Sequence, residues 1–118
     1  METVGATNGV PRLDLSRGLD MMGSEAELRN ILVTVVTSLA TDLPTIDKAL
    51  KNGDVATANR LLHAMKGYMP IIGSEALIAQ VVAVEHLSKT AAADVLRAYQ
   101  QLVPELQGLL TEIQNFLA

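Results

Sequence analysis

Asp54-Val55-Ala56-Thr57-Ala58-Asn59-Arg60-Leu61-Leu62-His63-Ala64-Met65-Lys66-Gly67 is the stretch that decides the fold. Asp54 is a good N-cap, and the residues after it hold helical spacing to Gly73, which is expected to end the helix. At 3.6 residues per turn, Asn59, Arg60, His63, Lys66, Gly67 and Pro70 share one face. Ala58, Leu61, Leu62, Met65 and Met69 share the other. One face is apolar and faces a core. The opposite face carries a histidine on the wet side, two cations and a glycine one turn beyond, where a side chain would otherwise crowd the imidazole.

The same pattern extends in both directions. Ser24 with Glu27 three residues on forms a capping box. Leu28, Ile31, Leu32, Val35, Val36, Leu39, Leu43, Ile46 and Leu50 then keep helical spacing to the stop at Asn52-Gly53. Pro44 is expected to bend or briefly break this run. Ser74 caps a third helix through Leu77, Ile78, Val81, Val84 and Leu87. Thr90 or a neighbour opens a last one, from Val95 to Leu117, with a kink expected at Pro104. Asp14 to Met22 reads as a short extra helix closed by Gly23. The expected fold is all-α: an antiparallel up-down-up-down four-helix bundle with a short N-terminal helix, residues 14–118, preceded by a flexible tail or linker over residues 1–13.

Composition agrees. The chain has 118 residues, 49% of them apolar, yet its only aromatics are Tyr68, Tyr99 and Phe116, so the core is aliphatic and suits helix packing. The methionines at 21, 22, 65 and 69 read as core filler. There is no cysteine, which excludes disulfide and thiolate chemistry. A net charge of −4 argues against nucleic acid as the main partner. No apolar run is long enough to span a bilayer, and residues 1–11 lack the pattern of a signal peptide, so the expected location is the cytoplasm. Two histidines, without a second ligand one turn from His63, make zinc a poor fit. No glycine-rich phosphate loop is present, so nucleotide binding and autophosphorylation are not expected.

His63, Lys66, Gly67, Gly73 and Leu77 stand at the spacing of the histidine-containing phosphotransfer (HPt) domains of two-component phosphorelays, which this sequence resembles. Gly53-Asp54 matches the family's turn before the histidine helix, and Leu13-Asp14-Leu15 with Gly18-Leu19 its opening. The resemblance spans residues 13–117. It implies a phosphocarrier without kinase activity of its own, taking a phosphoryl group on His63 from, or returning it to, the aspartate of a response-regulator receiver domain. The partners implied are that receiver and a sensor histidine kinase. The domain would need no cofactor, with Mg2+ supplied by the receiver, no membrane insertion, and a monomeric state. Many family members carry Glu or Gln twenty-two residues after the histidine, hydrogen-bonded to the imidazole; Glu85 stands there. Its role would be to hold Nδ1–H and leave Nε2 free, while Lys66 offsets phosphoryl charge. Arg60, Asn59, Gly67 and Pro70 would form the receiver-docking face. The histidine of a dimerising kinase helix is usually followed by an acidic residue, whereas Ala64 stands here. Tyr68, Met69 and Pro70 depart from the family pattern and motivate another reading, a diverged, non-transferring interaction module that binds a receiver or kinase domain; a structural dimerisation bundle is a third.

Overall fold

The computed structural model describes residues 11–118 and shows five helices: α1 (Leu15–Met22), α2 (Glu25–Lys51), α3 (Val55–Ile72), α4 (Glu75–Thr90) and α5 (Ala92–Leu117). α2, α3, α4 and α5 pack as a ring, each against the next and α5 against α2, while α1 lies on α2 and α3. The connections are Asn52–Asp54, Gly73 with Ser74, and the single residue Ala91. Links this short leave sequential helices no choice but to run antiparallel.

The ends form where the cap residues dictate. Asp14, Ser24, Asp54 and Ser74 each accept a hydrogen bond from the backbone N–H three residues on, at 3.0–3.2 Å. Each such cap stabilises its helix by about 1 kcal/mol. Gly23 and Gly53 take left-handed backbone, φ 88° and 77°, where a side chain would be strained. Thr90 stays in α4, whose last backbone bond runs from Ala91 N–H to the Leu87 carbonyl at 2.8 Å, and its hydroxyl donates back to the His86 carbonyl at 3.0 Å; α5 begins beyond Ala91, without a side-chain cap.

Of the two outcomes expected at Pro44, a bend or a brief break, the break does not occur. α2 runs unbroken through Pro44, α3 through Pro70 and α5 through Pro104. Pro44 and Pro104 are exposed, as are Ala40 and Gln100 four residues earlier, so water can serve the carbonyls that lose a donor. The buried residues on either side keep the helices whole. Leu32, Leu39 and Ile46 of α2, Leu62, Met65, Met69 and Ile72 of α3, and Leu102, Leu106 and Leu109 of α5 have almost no exposed surface. Burying one such side chain contributes roughly 1.5–3 kcal/mol. Tyr99 sits among them, with its hydroxyl donating to the Leu43 carbonyl at 2.8 Å. Met65 and Met69 are core residues, but Met21 is 59% exposed and fills nothing.

Residues 1–10 of the expected tail lie outside the described residues. Its last residues are not a tail. Leu13 is buried and pairs with Gly73 in an isolated β-bridge. Asp14 N–H donates to the Ile72 carbonyl and Ser74 N–H to the Arg12 carbonyl, both at 2.8 Å. The Arg12 guanidinium donates to Glu105 at 3.0 Å and Glu112 at 3.1 Å, and Glu112 also accepts from Leu13 N–H at 2.9 Å. Burial works against the Arg12 charge, but the two glutamates more than offset it and raise its pKa. A Cβ at Gly108 would clash with that guanidinium where it lies, so the glycine makes its seat on α5. The sequence gives no periodicity to so short a segment, and its tie to α5 depends on a pairing across the whole chain.

Candidate functional site

The apolar face of α3 turns Leu62, Met65 and Met69 into the core, and this fixes where His63 goes. Its side chain is 68% exposed. Its Nδ1 lies 3.4 Å from Glu85 Oε2 on α4, the helix beside it. With Nδ1 as donor, Nε2 is the free nitrogen and faces away from the carboxylate.

Glu85 is not a surface carboxylate. It belongs to the buried face of α4 with Leu77, Val81, Val84 and Ser88, and its side chain is only 2% exposed. Charge out of water must be paired, and here it is. Lys66 Nζ of α3 lies 3.3 Å from Oε1, and Lys89 Nζ of α4 lies 3.3 Å from Oε2. The Asn59 amide donates to Ser88 Oγ at 2.7 Å and, at 3.5 Å, to Glu85 Oε2. Ser88 Oγ in turn donates to the Glu85 backbone carbonyl. Burial raises the Glu85 carboxyl, but hydrogen bonds from Lys66, Lys89 and His63, and the Lys66 charge, more than offset it. The group is held below its ordinary carboxylate value.

The structure thus brings His63, Lys66, Glu85 and Asn59 together. Asn59 is half-buried and turned to α4, so it props the site. Arg60 is exposed, and its charge acts on Asp42 and Asp54. Gly67 is exposed, and a Cβ built there meets nothing within 4 Å. A methyl at 67 would therefore not touch the imidazole; the room it leaves lies outside the chain. Pro70 is half-buried. Tyr68, its near neighbour, is half-buried too, and its hydroxyl is buried without a hydrogen-bond partner. That burial, helped by the Asp42 charge, pushes its pKa well above the ordinary phenol.

Ser88 and Lys89 are the residues of this cluster that sequence reasoning missed. Lys89 had a signal, since a Glu followed four residues on by Lys is a known helix-stabilising pair. Ser88 had a weaker one, as a small polar residue at an apolar position. Among the described residues no group of three or more His, Asp or Glu side chains is placed to hold a metal ion, and no helix is long and apolar enough to cross a membrane.

A family model described as the Hpt domain matches residues 30–116. No curated protein and no solved structure matches the chain.

Proposed function

The chain belongs to the Hpt domain family, whose members are phosphocarrier modules of two-component signalling that work with receiver and kinase domains, and on that premise we propose that His63 is its phosphoryl carrier. One observation supports this above the rest: Nδ1 is engaged by a buried carboxylate while the side chain is 68% exposed. A nucleophilic imidazole needs that arrangement, with one nitrogen fixed as N–H and the other presented with its lone pair.

In this reading Nε2 attacks the phosphorus of a receiver's aspartyl phosphate. The N–P bond forms as the acyl O–P bond breaks, and the aspartate leaves as carboxylate. The receiver supplies Mg2+ and most of the electrostatic stabilisation. This chain supplies an oriented nucleophile, a lysine one turn away and the open ground over Gly67. It works as a monomer in the cytoplasm.

Incubation with a phosphorylated receiver should put acid-labile, base-stable label on the wild-type domain and none on His63→Gln, with both melting alike because the side chain is exposed. Absence of label on the wild type refutes transfer and leaves a binding module. Label persisting in the variant moves the site, with His86 the remaining histidine.

A further inference from the structure

One cation neutralises one carboxylate, yet Glu85 has two. Lys66 approaches Oε1 from α3, and Lys89 approaches Oε2 from the next turn of α4, each at 3.3 Å. With His63 neutral, the cluster carries one net positive charge. Family membership gives Lys66 a task and leaves Lys89 without one.

We propose that Lys89 is the resident counter-ion of Glu85, and that its presence frees Lys66 to leave the carboxylate for the phosphoryl group on His63. The inference rests on the carrier reading above. Its geometry is specific. Lys89 lies four residues after Glu85 on the same helix, so the two stay together whatever docks on the domain. Lys66 starts one turn beyond His63, and its flexible stem lets the ammonium reach either Oε1 or a group built on the imidazole.

Charge balance gives the reason. When Nε2 takes the phosphoryl group and Nδ1–H is kept, the ring gains one positive charge and the phosphoryl brings two negative ones. The loaded histidine therefore adds one negative charge to the cluster. With both lysines present the loaded site is neutral, and Glu85 retains a cation after Lys66 departs. With Lys66 alone, departure would leave a carboxylate that is 2% exposed holding only the Asn59 amide and the ring N–H. Lys66 would then stay on Glu85, and the phosphoryl group would lose its cation. Lys89 is a positioning residue, acting through Glu85 and Lys66.

The test is a cycle in the full chain: wild type, Lys89→Met, Glu85→Gln and the double variant, each assayed for phosphoryl uptake from a phosphorylated receiver. Lys89→Met should slow uptake roughly tenfold, a usual size for groups sharing one charge network, and Lys89→Arg should restore it. In the Glu85→Gln background the uncharged amide needs no counter-ion, so Lys89→Met should change nothing further. An effect of the same size in both backgrounds would mean that Lys89 acts on the phosphoryl group or the partner directly, and would overturn the proposal, as would no effect in either. A second measurement needs no transfer. Carbon NMR of the Glu85 carboxyl should show it ionised at neutral pH in Lys66→Met and in Lys89→Met, with a titration midpoint raised in the double lysine variant by more than the sum of the singles. Simple additivity there would refute the shared counter-ion. Failure of wild-type uptake alone refutes the carrier reading, and the carboxyl titration still decides the role of Lys89.

Discussion

Replacing Gly67 with Ala should raise stability and lower function at once. Gly67 lies inside α3, exposed, with nothing of the folded chain within 4 Å of a Cβ built there. The methyl meets no resistance, so the substitution gains the helix-propensity difference between the residues, about 0.8–1 kcal/mol. Part of that gain comes from the narrower freedom of the unfolded chain. With an unfolding entropy of about 2.1 cal/mol/K per residue, a chain of 118 residues melts about 4 °C higher per kcal/mol. If the open ground beside His63 is where a receiver settles, the same methyl intrudes on a packed interface. Intrusions of that kind cost about 1–3 kcal/mol, which is about fivefold to 150-fold in transfer. Alanine belongs at the low end, and Gly67→Gln, with a longer side chain, at the high end. Circular-dichroism melts and transfer from a phosphorylated receiver read the two effects separately. A lowered melting temperature for Ala would show that the space is needed within the chain. A raised one, with unchanged transfer for both variants, would show that no partner uses it, and the docking face would have to be drawn elsewhere.

Lys66→Ala should slow transfer more than it weakens receiver binding, by about 1–3 kcal/mol in the barrier; equal rates across receiver concentrations would reduce it to a solvated charge. Glu85→Ala leaves Nδ1 without its acceptor, so NMR of the ring should show the tautomer population shift and transfer fall; an unchanged ring would separate Glu85 from His63. Arg12→Ala strands the buried Glu105 carboxylate and should destabilise by about 2 kcal/mol, with Glu105→Gln in the same chain recovering part of the loss; a neutral single variant would make the clamp ornamental. On acidification, Glu85 stabilises the fold fully above its ordinary 4.5 and ceases to do so as pH falls through its lower folded value. Asp54, also lowered, acts in the same sense, and Asp42, raised by burial, in the opposite one. Thermal melts against pH should therefore decline below 4.5, and Glu85→Gln should flatten that decline; identical curves for the two proteins would show that Glu85 gains nothing from its lysines.

What could be read in the sequence was whatever depends on neighbours a few residues apart. Helical periodicity and caps locate α2 and α3 to within a residue, because both are local. His63 falls on the wet face for the same reason. What could not be read depends on distant pairing. The burial of Glu85 is set by how α4 rolls against α3, and α4 gives little guidance, since Ile78, Val82 and Leu87 leave it apolar nearly all round. α2 stays unbroken at Pro44, where propensity counts the lost N–H and omits the core on both sides. Arg12 carries no periodic signal, so its clamp on Glu105 and Glu112 falls outside sequence reasoning, and Arg12 itself lies outside the matched residues 30–116.

That clamp bears on the order in which the molecule assembles. Arg12 and Leu13 reach partners 93 to 100 positions away, whereas most helix pairs in the ring are neighbours in the chain. Bringing such distant points together costs closure entropy that only a nearly complete bundle can offset. The strap should therefore be the last piece to close during folding and the first to open. Leu13, Asp14 and Ser74 each donate their amide across it, so the three should exchange their hydrogens together, faster than the core of α3 and in step with one another, as a single latch on the end of the bundle where α3 turns into α4.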